Sequence, residues 1–260
     1  HRLDGKPCQC GHQHGTARDS AQKPVITDQY DYGDEEGNLL YQVLRYTPKD
    51  FRQRRPDGAG GWIWNLKDVK RVLYRLPELI EADKKTPIIW PEGEKDVENL
   101  RRLGFTATTA AQGVGGFKAV ADHAREVLAG GKIILLPDND APGREYILTV
   151  ARALHGVAEG IWIVDLPGLP QKGDVSDWIK ARRAEGMDDA AIAKALRDIV
   201  NKTPPWQPTG ADTALSGSAE TAQAMEWEDP VLFDEFPVPE INTHWFPGWM
   251  ADYIESVAQN

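Results

Sequence analysis

The middle of this 260-residue chain predicts an α/β fold with a mainly parallel sheet covered by helices on both faces, preceded by a small basic α+β element and followed by a linker. Three observations predict it. Short apolar runs, PIIWP (87–91), KIILL (132–136) and IWIVDLP (161–167), alternate with stretches of helical apolar spacing, the pattern of parallel strands buried on both sides. Acidic or glycine-containing turns follow the strands, where open α/β sheets hold their ligands. A composition of 41% hydrophobic and 27% charged residues suits a soluble globular chain with a sizeable core.

Residues 1–27 read as an N-terminal tail. The chain has two cysteines, Cys8 and Cys10, which with His12 and His14 form the run CQCGHQH. So short a run lacks the two separated ligand pairs of a structural zinc site, so a zinc ion is not expected there, nor is a disulfide framework. From 28 to 85 a small basic α+β element is predicted. YDYGDEEGNLLYQVLRYT (30–47) sets two β-prone runs either side of a Gly-Asn turn and reads as a hairpin. GWIWN (61–65) reads as a short aromatic strand, and LKDVKRVLYRLPELIEA (66–82) carries helix-like spacing around Pro77.

Residues 86–200 form the predicted α/β domain. The strand PIIWP leads into helix EKDVENLRRLG, then strand FTATT and a glycine loop, AAQGVGGFK (110–118). Helix AVADHAREVLAGG (119–131) and strand KIILLPD follow, then helix APGREYILTVARALHG (141–156), strand IWIVDLP, helix WIKARRAEG (178–186) and helix DDAAIAKALRDIV (188–200). Residues 201–226 are rich in Pro, Thr, Ser and Ala and read as a linker. Residues 227–260, with proline-spaced aromatics and a short terminal helix, read as the lead-in to a further domain.

The formal net charge of −10 comes from one end. Residues 211–260 hold ten Asp or Glu and no Lys or Arg, whereas residues 45–75 hold nine Lys or Arg against three Asp. Global charge therefore does not argue against a nucleic-acid partner. No run approaches the length of a membrane-spanning helix and no targeting segment is recognisable, so a cytoplasmic protein with no membrane partner is expected.

The chemistry is carried by acids beyond strand ends. Glu92 follows the first strand of the domain, and Asp138 and Asp140 follow KIILL. In a parallel sheet such positions converge. Crowded carboxylates repel one another and ask for a hard divalent cation, with magnesium the natural choice. Asp96 lies one helical turn after Glu92. Asp174 and Asp177, in KGDVSDWI (172–179), sit where a fifth strand is expected to give way to a helix; either can hold a second metal, and Asp177 can instead cap a helix starting at Trp178.

Glu-Gly after one strand, Asp-x-Asp-x-x-Gly-Arg after another, and Gly-Asp-x-x-Asp-Trp after the next resemble, in this order, the TOPRIM domain shared by primases and topoisomerases. The resemblance covers roughly residues 86–186. EGEKD and KGDVSDW look most like bacterial-type primases and the primase-helicases of phages and mobile elements. It implies Glu92 as metal ligand or acid-base group, magnesium (or manganese in its place) on Asp138 and Asp140, and Asp96, Asp174 and Asp177 completing the acidic centre. Lys95, Arg144 and Lys172 become candidates for phosphate contact. Gly113, Gly115 and Gly116 become candidates for backbone contact with a nucleotide or nucleic acid.

The 30–83 segment resembles the region that precedes TOPRIM in phage and mobile-element primase-like proteins. Its basic residues, Lys49, Arg52, Arg54, Arg55, Lys70, Arg71 and Arg75, interleaved with Phe51, Trp62, Trp64 and Tyr74, suit a single strand held by phosphate neutralisation and base stacking. The segment WEDPVLFDEFPVP (227–239) resembles the lead-in to a helicase-like ATPase domain, although no Walker-type loop occurs in the chain. The expectation is thus a magnesium-dependent primase-type nucleotidyltransferase acting on single-stranded DNA and nucleoside triphosphates, with a helicase-like ATPase as partner. A TOPRIM metal-dependent nuclease and a non-catalytic module that docks nucleic acid or a helicase are the alternatives.

Overall fold

The structure, a computed structural model, describes residues 23–83 and 85–209. The Cys8–His14 run, the lead-in from 227 and most of the linker lie outside the described residues. Two four-stranded sheets organise the rest. The first is an antiparallel meander of β1 (Val25–Gly33), β2 (Leu39–Thr47), β3 (Asp50–Pro56) and β4 (Trp62–Ile63). The second contains β5 (Ile88–Pro91), β6 (Thr106–Ala107), β7 (Lys132–Leu136) and β8 (Gly160–Ile163), in the order β6-β5-β7-β8, and every pair in it is parallel.

The second sheet is the helix-covered parallel sheet expected from the alternating pattern. Side chains alternate between its two faces. Ile88, Trp90, Ile133, Leu135 and Ile161 pack with Phe117, Leu128, Ile147 and Leu154. These come from α3 (Gly113–Lys118), the end of α4 (Ala121–Val127) and α5 (Ala141–Leu154). Ile89, Ile134 and Leu136 pack the other way, against Val97, Leu100, Trp178, Ile179, Ile192 and Leu196. Those belong to α2 (Glu94–Arg102), α6 (Val175–Ala184) and α7 (Asp189–Lys202). Apolar burial on both faces is what allows such short strands to read as continuous Ile/Leu runs.

The meander packs on the α2 side, placing Tyr30, Tyr32, Tyr41 and Val43 in the same core as Ile89 and Val97. One buried polar contact crosses the junction: the Tyr32 hydroxyl donates to Glu94 Oε1 at 2.8 Å. Burial raises the Glu94 carboxyl above its ordinary pKa, and the Tyr32 bond acts in the opposite direction.

Several sequence expectations change. The helix expected over 66–82 is confined to α1 (Leu76–Glu81), with Pro77 in its first turn, where a missing N–H costs nothing. Val72, Leu73 and Tyr74 are buried, and the Tyr74 N–H donates to Thr109 O, just past β6, at 3.0 Å. Its spacing therefore reports an irregular segment whose Val72–Tyr74 stretch is buried, and not a helix. Strand β3 was not expected, since DFRQRRP lacks apolar alternation. Cross-strand pairing and guanidinium stacking hold it instead, with Arg52 lying 4.8 Å from the Tyr46 ring centroid and Arg54 3.9 Å from that of Trp62.

The glycine loop at 110–118 is in large part the short helix α3. The parallel sheet has four strands, so the expected fifth strand before Asp174 is absent among the described residues, and a loop leads from β8 to α6. At the predicted linker, α7 runs through Lys202 and the Trp206 N–H donates to Ile161 O at 2.6 Å. No helix of the described residues is long and apolar enough to cross a membrane.

Because Tyr32 supplies a side-chain donor to the buried Glu94 carboxylate, Tyr32→Phe is expected to lower unfolding free energy by about 1–3 kcal/mol, read from urea denaturation at neutral pH.

Candidate active site

Parallel pairing aligns Pro91 of β5 with Leu136 of β7. The residues just past these strand ends, Glu92 and Asp138, are thereby neighbours at the carboxyl edge of the sheet. The Asp138 N–H donates to Glu92 Oε1 at 2.9 Å. The Thr109 hydroxyl, beyond β6, donates to the carbonyls of Pro91 and Glu92 at 3.0 and 3.1 Å and fixes that turn. Asp140 is the N-cap of α5 and accepts from Gly143 N–H at 2.8 Å. Glycine at 143 makes room for the Glu92 carboxylate: a Cβ there would stand 2.1 Å from Glu92 Oε1 and 3.1 Å from Asp138 Cβ, so the carboxylate would have to move. The Asp-x-Asp-x-x-Gly motif thus combines a helix cap with the close approach that seats the Glu92 carboxylate.

A second group of acids comes from α2 and α6. Asp96 Oδ1 accepts from the Ser176 hydroxyl in a short hydrogen bond and from Ser176 N–H at 3.3 Å. Asn99 donates to Ser176 Oγ at 2.7 Å and braces it. Lys95 Nζ lies 2.5 Å from Asp174 Oδ2 and 3.9 Å from Asp96 Oδ1. The helix expected from Trp178 begins at Val175, so its cap is Asp174 and not Asp177. The two form a capping box, with Asp177 N–H donating to Asp174 Oδ1 at 2.8 Å and Asp174 N–H to Asp177 Oδ2 at 3.3 Å. Asp177 itself is exposed.

Glu92, Asp96, Asp138 and Asp174 line one cleft of about 330 Å³, together with Glu94, Lys95 and Gly113. Its opposite wall is the inner face of the meander: Tyr30, Val43, Arg45, Lys49 and Phe51. The Arg45 guanidinium lies 5.9 Å from the centroid of the Phe51 ring. Acids thus face a basic and aromatic wall.

The acids are electrostatically strained. Burial, then the charges of Glu92, Asp96, Asp174 and Asp140, pushes the Asp138 pKa up to about 8. Burial and the charge of Asp174 raise Asp96 to about 6, against the bonds from Ser176 and the charge of Lys95. Burial, opposed by the Asp138 N–H, and the charges of Asp140 and Asp174 raise Glu92. Burial depresses the Lys95 ammonium, but its bond to Asp174 and the neighbouring acids outweigh this and raise its pKa.

Among the described residues no Lys or Arg forms an ion pair with Glu92, Asp138 or Asp140. Oxygen donors that repel one another without a cationic partner suit a hard divalent ion in chemistry. Among the described residues no three His, Cys, Asp or Glu side chains already close on one point as a finished ligand set.

The other expected contacts divide. Arg144 pairs with Asp165 at 2.9 Å and lines a separate small cavity with Asn139. Lys172 is exposed, in the left-handed region with φ 62°, and outside the cleft lining. Gly115 and Gly116 line a cavity of about 90 Å³ with Arg71 and Gln53. Gly116 is required sterically, since a Cβ would meet Ala111 O at 1.4 Å.

Arg75 is engaged by Glu98 at 2.7 Å, and Tyr74 is buried and donates to the same carboxylate at 2.9 Å. Both hold the segment that precedes α1 to α2. Arg54 stacks on Trp62 and bonds Gln42, its cross-strand partner, on the sheet face turned away from the cleft. Arg55 Nε is buried without a hydrogen-bond partner. Sequence reasoning missed Tyr30, Arg45, Glu94, Gly143 and Ser176 as site components. The second acid of EGEKD and the glycine of DNDAPGR were visible signals for two of them; nothing local marks Arg45, whose role depends on strand pairing.

No protein-family profile matches the chain, and no curated protein sequence does. Solved structures with a similar arrangement include a chain of the bacteriophage T7 complex in which lagging-strand DNA polymerase interacts with primase domains of two gp4 subunits bound to an RNA/DNA hybrid and dTTP. It is 21% identical with a TM-score of 0.46, and the match covers 68% of this chain and 78% of that one. The primase fragment of the bacteriophage T7 primase-helicase protein is 21% identical with a TM-score of 0.41, over 59% of this chain and 58% of that one. A DNA primase domain from Pseudomonas aeruginosa is 17% identical with a TM-score of 0.49, over 72% and 53%. The chain thus spans little more than half the length of the last two. Likeness at this level assigns no activity.

Two outcomes follow from the site. Gly143→Ala displaces the Glu92 carboxylate, and urea unfolding should show a loss of about 1–3 kcal/mol. In metal-free protein the Asp138 carboxyl ionises near pH 8 when folded but near its ordinary value, about 4, when unfolded. The folded state therefore binds more protons between those values, and stability falls as pH rises from about 4 to about 8. Asp138→Asn should flatten that fall in thermal-unfolding scans and give a higher Tm than wild type at pH 8.

Proposed function

We propose that this chain carries the catalytic centre of a magnesium-dependent primase-type nucleotidyltransferase, joining nucleotides on a single-stranded DNA template. The observation that supports it is the juxtaposition within one cleft: Glu92 and Asp138 at the carboxyl edge of a parallel sheet, opposite Arg45, Lys49 and Phe51. Acids on one wall suit the reacting phosphoryl group and its cation; a basic and aromatic wall suits the phosphates and base of the same nucleotide or its template. The TOPRIM-like motifs and the primase chains named above accord with this reading.

In the proposed step a primer 3′-hydroxyl oxygen attacks the α-phosphorus of a nucleoside triphosphate. The new P–O bond forms as the bond to the bridging oxygen breaks, and pyrophosphate leaves. Glu92, half-buried with a raised pKa, is the group placed to receive the hydroxyl proton. Glu92, Asp138 and Asp140 would hold magnesium, which when bound neutralises the developing charge on the phosphate oxygens. Asp140 also fixes α5 through Gly143, and Asp96, locked by Ser176, shapes the far side of the cleft. Arg45 and Lys49 orient the triphosphate. A helicase-like ATPase partner, and an origin in a phage, plasmid or mobile element, belong to the same proposal.

The test is incorporation of labelled ribonucleotides on single-stranded DNA with magnesium or manganese, with the template examined alongside. Metal-dependent primers, reduced about a hundredfold or more in Glu92→Gln and Asp138→Asn, are expected. Arg45→Ala and Lys49→Ala should raise KM for nucleotide more than they lower kcat. Cleaved template without synthesis would replace the reading with a TOPRIM-type nuclease; an intact template and no product would leave a binding module.

A further inference from the structure

The two halves of the acidic centre are neutralised differently. Near α6, Asp174 Oδ2 meets the Lys95 ammonium at 2.5 Å while its Oδ1 accepts the Asp177 N–H. Asp96 has Lys95 at 3.9 Å and two bonds from Ser176. Near β5 and β7, among the described residues, the Glu92 side chain has only the Asp138 N–H and that of Asp140 only its cap bond. Among the described residues no other Lys or Arg ion-pairs with any of these five acids. The Lys95 side chain is 37% exposed and lines the cleft, so it reaches the acids from the solvent side.

We propose that Lys95 is a built-in cation: its ammonium group occupies the Asp96–Asp174 half of the centre in place of a second divalent ion, leaving Glu92, Asp138 and Asp140 to hold a single one. An ammonium is a compact point charge with three donors, and it can satisfy two carboxylates where a second metal would otherwise sit. It differs from a bound metal in being permanently tethered, so this half of the site keeps a cation at any metal concentration. Lys95 is here a positioning residue: it fixes Asp174 by a close ion pair and lies within reach of Asp96. The inference rests on the primase-type reading in assuming that the other half binds a divalent ion.

The test counts ions. Manganese is titrated into the full chain at low ionic strength and free Mn²⁺ is read by electron paramagnetic resonance, for wild type, Lys95→Arg, Lys95→Met and Lys95→Met with Asp174→Asn. One ion per chain is expected in wild type and Lys95→Arg, two in Lys95→Met, and one again in the double variant. Lys95→Gln, with the same expected count as Lys95→Met, serves if circular dichroism shows the methionine variant misfolded. One ion in both wild type and the neutral variant overturns the inference alone, as do two in wild type. No ion in either overturns it together with the metal-dependent reading of the site.

Discussion

The contact on which the site depends is the hydrogen bond from the Asp138 N–H to the Glu92 carboxylate. It joins residues 46 positions apart in the chain and exists only because β5 and β7 run parallel in a fixed register. A slip of one residue would turn Ile88 and Trp90 toward the wrong helical layer and carry Glu92 away from Asp138. The apolar core on both faces of the sheet therefore sets the position of the acids. Gly143 completes the seat, since the first turn of α5 lies so close that a Cβ there would displace the Glu92 carboxylate.

Helix α2 ties the remaining pieces to that seat through three successive residues of its first turn. Glu94 reaches back to Tyr32 of the meander, Lys95 crosses to Asp174, and Asp96 is held by Ser176. Two of these residues are acids at a helix N-terminus, where the helix dipole favours negative charge. One helical turn thus fixes the distance from the acidic edge both to α6 and to the basic wall of the cleft. Its rigidity comes from Val97 and Leu100, buried against the sheet directly below.

Crowding the acids is unfavourable in itself, as the raised pKa values of Asp138, Asp96 and Glu92 record. Buried like charges persist only where surrounding structure over-determines their positions. Here that structure is the double-sided core, with Trp90, Ile133 and Leu135 on one face and Ile89, Ile134 and Leu136 on the other. The asymmetry of the centre, with Lys95 on one side and, among the described residues, no basic partner for Glu92 and Asp138 on the other, makes its two halves chemically unlike.

The sequence by itself determined the parallel sheet, the order of its helices and the strand-end acids Glu92, Asp138 and Asp140, because buried strands and strand-end turns are written in local apolar runs and their punctuation. It misread the 66–75 segment as helix, since the apolar residues Leu66, Val69, Val72 and Leu73 fall at helical spacing although the segment is irregular, with turns at both ends. It left β3 unseen, since cation–π stacking and cross-strand bonds leave no apolar alternation. It left Asp177 open between metal ligand and cap of a helix starting at Trp178, whereas the helix starts three residues earlier and is capped by Asp174. Tertiary structure alone decided that Arg45 and Lys49 face the acids while Arg54 turns away and Arg75 is held by Glu98. Which face of a strand a basic residue occupies depends on its register against a neighbour, and register is a property of paired segments that no single segment contains.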